Sequence, residues 1–251
     1  MKKIKILLLS IFLSMLIVSA FAQTDTSGLK ITNLIGDFYI YTTYRKIDSF
    51  FIPSNGMYVV TKKGVVLFDT PFDSTQYQAL LDSIALKHIK KVLLCIATHF
   101  HSDRTGGLEY YKSKGIATYS TKATDELCKK HHEKRARYII ANNTTFKVGK
   151  YYFETYFAGA GHTDDNIVVW FKKEKILYAG CLVKDTAAKD LGNVDDANVK
   201  EWNNTINNLE KEYKNAAYVI PGHGNWGGTN LLTHTLDLLK EDNVKKATKK
   251  K

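Results

Sequence analysis

Thr98-His-Phe-His-Ser-Asp-Arg-Thr-Gly-Gly107 sets two imidazoles and a carboxylate, those of His99, His101 and Asp103, at alternate positions. The stretch follows an apolar run, Val92-Leu-Leu-Cys-Ile-Ala-Thr98, which reads as a buried strand. A strand that delivers such groups to its C-terminal mouth makes a metal-site arrangement, and open α/β sheets place their chemistry at that mouth. Gly106 and Gly107 allow the backbone to turn tightly and start a helix behind the candidate ligands.

Three further candidates stand at predicted strand ends, each beside glycine: His162 in Gly159-Ala-Gly-His-Thr163, Cys181 after Gly180, and His223 in Pro221-Gly-His-Gly224. Zinc accepts imidazole, carboxylate and thiolate, so six such groups can hold two ions with three protein ligands each. Three ligands per ion leave a position open for water, the pattern of catalytic rather than structural zinc. Taken singly, His162 or His223 is a hydrogen-bonded loop histidine, Cys181 a small core residue and Asp103 a helix cap. Six such residues at strand ends in glycine-rich turns favour the metal reading. His88, His131, His132 and His234 fall on helical or polar surfaces and read as solvated.

Outward from the motif, Leu29 to Thr43 reads as paired strands, Tyr44 to Phe51 breaks their pattern, and Pro53-Ser-Asn-Gly56 marks a turn. Strands are expected at 57–61, 65–69, 116–119, 144–148, 151–157, 167–171, 176–178 and 218–220. Asp73 and Gln76 form a capping pair for a helix with Tyr77, Leu80, Leu81 and Ile84 on one face. Further helices are expected at 121–130, at 230–240, and around a face of Val199, Trp202, Ile206, Leu209 and Tyr213. Strands first, then helices interleaved with strands, imply an α/β domain of two facing sheets with helices outside.

The chain has 251 residues and a net charge of +11. Lys2, Lys3 and Lys5, an apolar stretch from Ile6 to Phe21 and Ala20-Phe-Ala22 read as a secretory signal peptide, residues 1–22, with the mature chain from Gln23. That apolar stretch is shorter than the ~20 residues a membrane span needs, and no cysteine for a lipid anchor stands at the cleavage site. Residues 23–251 suffice for one domain, with a basic tail from about Lys245 that reads as a solvated terminus. The mature charge, three below that of the whole chain at +8, favours anionic small substrates, and export argues against nucleic acid. Three cysteines are an odd count for an oxidising compartment; Cys95 reads as a core residue, with a Cys95–Cys128 disulfide as the alternative. Nothing in the chain demands an oligomer, so a monomer is expected.

With these motifs in order, the chain resembles the metallo-β-lactamases, specifically the di-zinc subclass with a cysteine ligand. The resemblance rests on the ten-residue motif, Gly161-His-Thr163, Gly180-Cys-Leu-Val-Lys184, Gly192-Asn193 and Pro221-Gly-His-Gly224. It implies a four-layer αβ/βα sandwich, two zinc ions, a periplasmic location, and hydrolysis of penicillins, cephalosporins and carbapenems by zinc-bound hydroxide, conferring antibiotic resistance. It further implies that His99, His101 and His162 hold one zinc and Asp103, Cys181 and His223 the other. Asp103 would also orient the nucleophile, Asn193 would stabilise the oxyanion, and Lys184 would pair with the substrate carboxylate. Phe50 and Phe51 would form a lid over the substrate, with core packing of one of them as the alternative. Arg104, where many hydrolases of this fold carry histidine, is expected to support the metal loop, as is Asp69. Ala160 and Asp164 stand where relatives often have proline, and the segment Tyr44 to Phe51 lacks the tryptophan and glycine of some members. A lactonase or thioesterase of the same fold, or a zinc-binding protein without catalysis, are the competing readings.

Overall fold

In a computed structural model, residues 28–248 are described; the expected leader, residues 1–22, and its cleavage point lie outside them. The heart of the fold follows from a pattern of two. Val66 and Phe68 face one apolar cluster while Val65 and Leu67 face another, so this strand is covered on both sides. Seven strands form the first sheet, in spatial order β1 (Lys30–Ile35), β2 (Phe38–Ile47), β3 (Phe50–Val60), β4 (Val65–Phe68), β5 (Val92–Ile96), β6 (Ala117–Thr121) and β7 (Tyr138–Ile140). Five form the second: β8 (Thr144–Val148), β9 (Tyr151–Tyr156), β10 (Val168–Phe171), β11 (Ile176–Gly180) and β12 (Tyr218–Pro221).

Phe38, Ile40, Met57, Phe68 and Ile96 of the first sheet pack against Phe153, Val169, Phe171 and Ile220 of the second. On the outer face of the first sheet lie α1 (Gln76–His88), α2 (Ser102–Thr105) and α3 (Leu108–Ser113), with α4 (Lys122–Lys130) following β6. Leu80, Ile84, Leu108 and Tyr111 close that layer. On the outer face of the second sheet, α5 (Val199–Glu212) buries Trp202, Ile206 and Leu209 beside α6 (Asn230–Thr248). Each such side chain contributes ~1.5–3 kcal/mol of burial before chain entropy is counted. The result is the expected αβ/βα sandwich.

Several local expectations differ. The segment Tyr44 to Phe51 does not break the sheet: β2 runs to Ile47 and β3 starts at Phe50, with Asp48 in the hairpin turn at φ 52°. Pro53-Ser-Asn-Gly56 is not a turn but the middle of β3, with Pro53 opposite Tyr44 and Gly56 opposite Tyr41. A Cβ on Gly56 would lie 1.9 Å from Tyr41 Cζ, so glycine here makes room for a ring rather than for a bend. The helix after Asp73 begins later, with Thr75 at its N-cap; Asp73 Oδ1 instead accepts from Thr75 N at 2.9 Å. The short strand β7 was not expected, and the last helix runs eight residues past its expected end at Lys240.

The cysteines Cys95, Cys128 and Cys181 are all free and buried, which removes the Cys95–Cys128 disulfide. His88 and His234 are not solvated: His88 Nε2 lies 3.0 Å from Tyr58 Oη and His234 Nε2 lies 3.1 Å from Ala188 O.

Candidate metal centre

Strand ends build the site. Past β5 the chain delivers His99 and His101, past β11 Cys181, and past β12 Gly222 and His223. Asp103 opens α2 immediately behind His101. His162 sits in a turn closed by Gly161 N donating to Thr163 O at 3.0 Å and by the Asn166 side chain, which accepts from Thr163 N and donates to Gly159 O. Helix α5 tethers this turn at Ala160 and at Asp164. Thr205 Oγ1 donates to Ala160 O at 2.5 Å, and Asn198 Nδ2 donates to Asp164 Oδ1 at 3.3 Å.

All six candidate ligands converge. The rings of His99, His101 and His162 lie 4.9–5.0 Å apart, centre to centre. His101 Nδ1 and His162 Nε2 approach to 3.1 Å. Beside them, Cys181 Sγ is 3.2 Å from His223 Nε2, and Asp103 Oδ2 is 3.4 Å from that nitrogen and 3.8 Å from the sulfur. Donor atoms within 4.8 Å of one another group as Asp103, Cys181 and His223, as His99, His101 and Asp103, and as His99, His162 and Cys181. The two sets are thus one continuous cradle.

The donors suit a cation. His99 Nε2 is buried with no hydrogen-bond partner among the described residues, a costly state for a polar nitrogen. Burial first, and neighbouring imidazoles next, push the pKa of His99 well below its usual value, and burial with Lys184 nearby does the same for His162. Both are therefore neutral, as metal ligation requires. Burial alone would raise Asp103, but the Arg104 guanidinium and His223 outweigh it and hold the carboxyl ionised. Burial opposes a charged His223 too, yet Cys181 and Asp103 carry it up to about 10, so a proton sits among these three groups until a metal ion displaces it. The outer nitrogens of two histidines are fixed: His223 Nδ1 lies 2.5 Å from Pro53 O and His101 Nε2 lies 3.0 Å from Asp196 Oδ2. Such acceptors orient an imidazole and leave its other nitrogen for the metal. Nitrogen, oxygen and sulfur donors together suit zinc.

Beneath the cradle lies Arg104, without exposed surface. Its Nη1 donates to Asn55 O at 2.6 Å, and its Nη2 donates to Asp103 Oδ2 at 2.8 Å, Cys181 Sγ at 3.0 Å and Gly222 O at 3.0 Å. Asp69 accepts from Thr98 N at 2.7 Å, Thr98 Oγ1 at 2.9 Å and Tyr178 Oη at 2.6 Å. Burial pushes the Asp69 carboxyl up to about 6 against the pull of Arg104 and these donors. Ser54, whose Oγ donates to Asp103 Oδ2 at 3.4 Å, was missed in the sequence, as were Asn55, Tyr178 and Asp196. Tyr178 carried only the signal of strand alternation, Ser54 and Asn55 were hidden in an apparent turn, and nothing near Asp196 marks it.

The cradle floors a cavity of about 590 Å³. Ile47, Ile52 and Phe72 give it an apolar wall, while Phe50 and Phe51 stand 72% and 65% exposed at the hairpin tip, outside the lining. Core packing of either phenylalanine is thereby excluded. Lys184 lines the cavity as well, with Nζ 5.2 Å from the Trp202 ring centre, and burial lowers its pKa. It is not the solvated lysine that its type alone suggests. Asn193 also lines the cavity, exposed, with Oδ1 accepting from Asp195 N at 2.9 Å.

The sequence model of the metallo-β-lactamase superfamily matches residues 50–223. A type 2 metallo-β-lactamase of Elizabethkingia meningoseptica is 44% identical over 223 residues, 89% of each chain. Metallo-β-lactamase IND-1 of Chryseobacterium indologenes is 42% identical over 92% of this chain and 97% of its own. Among solved structures, the metallo-β-lactamase from Pontibacter korlensis superposes with a TM-score of 0.82 at 39% identity, over 84% of this chain and 99% of that one. This chain belongs to the metallo-β-lactamase superfamily.

Proposed function

We propose that this chain is a zinc-dependent β-lactamase, hydrolysing the strained amide of β-lactam antibiotics and so conferring resistance, from an exported, periplasmic position. One observation carries the site: His101 and His223 each have one nitrogen held by an acceptor and the other turned toward further donor atoms at 3.1–3.4 Å. His99, His101 and His162 would hold one zinc, and Asp103, Cys181 and His223 a second. Bound there, zinc supplies Lewis acidity and a water acidified to a pKa of about 7.

This chain's own groups do the rest. Asp103, kept ionised by Arg104, accepts a hydrogen bond from the attacking water and fixes its direction. Lys184, pinned over Trp202, presents an ammonium to the carboxylate that β-lactams carry. Asn193 turns its amide from Asp195 N toward the carbonyl oxygen as charge develops there; one such donor is worth ~3–4 kcal/mol. Ile47, Ile52 and Phe72 exclude water from the apolar side of the substrate. No serine or cysteine nucleophile enters the reaction, so no acyl-enzyme accumulates. The test is turnover of a chromogenic cephalosporin and of a carbapenem by purified protein, with and without chelator. Loss on chelation and recovery on adding zinc are expected; undiminished turnover by protein shown to be metal-free would reject the proposal.

A further inference from the structure

The pole of the sandwich opposite the candidate site carries a patch that this chemistry does not use. Lys62 and Lys63 in the turn before β4, Lys87 near the end of α1, and Lys90 and Lys91 before β5 meet there. Lys90 Nζ donates to Lys62 O at 3.1 Å, and Val65 N donates to Lys91 O at 2.9 Å. Among the described residues, none of the five forms an ion pair with a carboxylate. Amid them stand Leu86 and Ile89, 87% and 89% exposed, and Leu93, half-exposed. Leu93 covers Gly64 in the lysine turn so closely that an added Cβ would lie 2.5 Å from Leu93 Cγ. Lysines and aliphatic side chains therefore share one surface.

Ile89 adds an independent observation. It ends α1 at φ 53°, ψ 41°, left-handed backbone that suits glycine or asparagine and strains a β-branched residue. The left-handed backbone closes the helix, with Ile89 N donating to Ala85 O at 2.9 Å, but the β-branched side chain gains no burial in return and its apolar tip stays open to another surface.

We propose that this pole docks peripherally on an anionic phospholipid bilayer, with Leu86, Ile89 and Leu93 entering the headgroup boundary and the five lysines meeting lipid phosphates. Aliphatic tips ringed by lysines suit that surface, since lysine stems lie along apolar matter while their ammonium groups stay in water. Nucleic acid is disfavoured, because the patch has no arginine forks and its neighbouring ring, Tyr39, is half-buried with Lys87 Nζ 5.5 Å from its centre. Docked this way, the mouth beyond β5, β11 and β12 points away from the membrane and stays open to substrate.

The test is co-sedimentation of zinc-loaded protein with vesicles containing phosphatidylglycerol, against vesicles of phosphatidylcholine alone, at ~0.1 M salt. All variants keep one N-terminus, so residues 1–22 cancel from the comparison. Wild type is expected to prefer the anionic vesicles, less so as salt rises. Lys62→Gln, Lys90→Gln and Lys91→Gln should each weaken binding about five-fold. Ile89→Asn, which suits the backbone, should also weaken binding while raising thermal stability, a pairing that a purely structural role would not give. Hydrolysis of a soluble substrate stays unchanged in all four, which certifies their fold. Equal partition onto both vesicle types would overturn the proposal. So would stronger binding to duplex DNA or to an acidic polypeptide that Ile89→Asn leaves untouched, which would reassign the patch to that polyanion.

Discussion

Arg104 Nη2 donates to Cys181 Sγ at 3.0 Å from a guanidinium with no exposed surface. The same nitrogen reaches Asp103 Oδ2 at 2.8 Å, so one buried cation holds two candidate ligands of the proposed second zinc. Replacing it breaks more than one contact. Arg104→Ala leaves Asp69 and Asp103 as buried charges without their partner, at a cost of ~3–5 kcal/mol in unfolding free energy. Arg104→Lys keeps the charge but offers three donors where the fork makes six contacts. Its expected signature is partial: milder destabilisation, with zinc content dropping toward one per chain. Elemental analysis after dialysis reads that outcome, and two zincs retained at wild-type affinity would contradict it.

Gly222 sits where two of these groups crowd the backbone. An added Cβ would lie 2.5 Å from Cys181 Sγ, 2.6 Å from Cys181 N and 2.8 Å from Arg104 Nη2. Gly222→Ala must therefore displace Cys181 or Arg104, and metal ligation tolerates displacements of only ~0.2 Å. Activity is expected to fall by ~100-fold or more, on the scale that a misplacement of ~1 Å costs. A crystal structure of the variant with Cys181 unmoved would refute this account.

How far the sequence reveals this site depends on what each residue's type encodes. His99, His101 and Asp103 were legible because a period-two motif follows an apolar strand, and His162, Cys181 and His223 because each adjoins a glycine at a strand end. The layers were legible because the order of elements, strands first and then helices interleaved with strands, implies two facing sheets with helices outside. Pro53-Ser-Asn-Gly56 misled because its residues normally mark turns. Here Pro53 and Asn55 instead face the β12 end, with Asn55 N donating to Gly222 O at 2.8 Å. Tyr178 and Asp196 carry no local mark; their roles come from partners 109 and 95 positions away. Only tertiary structure brings those together.

Asp69 predicts a pH dependence. Its carboxyl is pushed up to about 6 in the folded chain, chiefly by burial, against ~3.9 when unfolded. As pH rises the unfolded chain releases this proton first, so the group's contribution to stability falls between those values and is flat above them. The change amounts to ~3 kcal/mol. Asp69→Asn removes the titration and also loses the pairing with Arg104. The variant should be less stable throughout, with a flatter decline from about pH 4 to 6. Denaturant unfolding of both metal-free proteins across that window measures the difference; parallel profiles would contradict the assignment.

Lys184 separates substrate binding from chemistry. If its ammonium holds the substrate carboxylate, Lys184→Ala loses a charge-assisted hydrogen bond worth ~1.5–3 kcal/mol. KM should rise about ten- to hundred-fold with kcat little changed. A neutral ester of the same β-lactam should show almost no difference between variant and wild type. An equal penalty on acid and ester would assign Lys184 to packing on Trp202 instead.

Metal removal should expose one thiol selectively. Burial pushes the Cys128 thiol up to about 12 and Cys95 well above its usual value, so neither offers the reactive thiolate. Cys181 alone of the three lines the cavity, beside His223 and Arg104. Zinc bound to the sulfur draws off its electron density and slows its attack on peroxide; without zinc the thiolate attacks the O–O bond, releases hydroxide to give the sulfenic acid, and a second peroxide takes it to the sulfinic acid. The metal-free protein is therefore expected to lose recoverable activity roughly ten-fold faster under peroxide than the zinc form. Peptide mass spectrometry should find the added oxygen on Cys181 and not on Cys95 or Cys128. Equal rates with and without zinc would count against Cys181 as a ligand and leave Asp103 and His223 to hold the second ion with water.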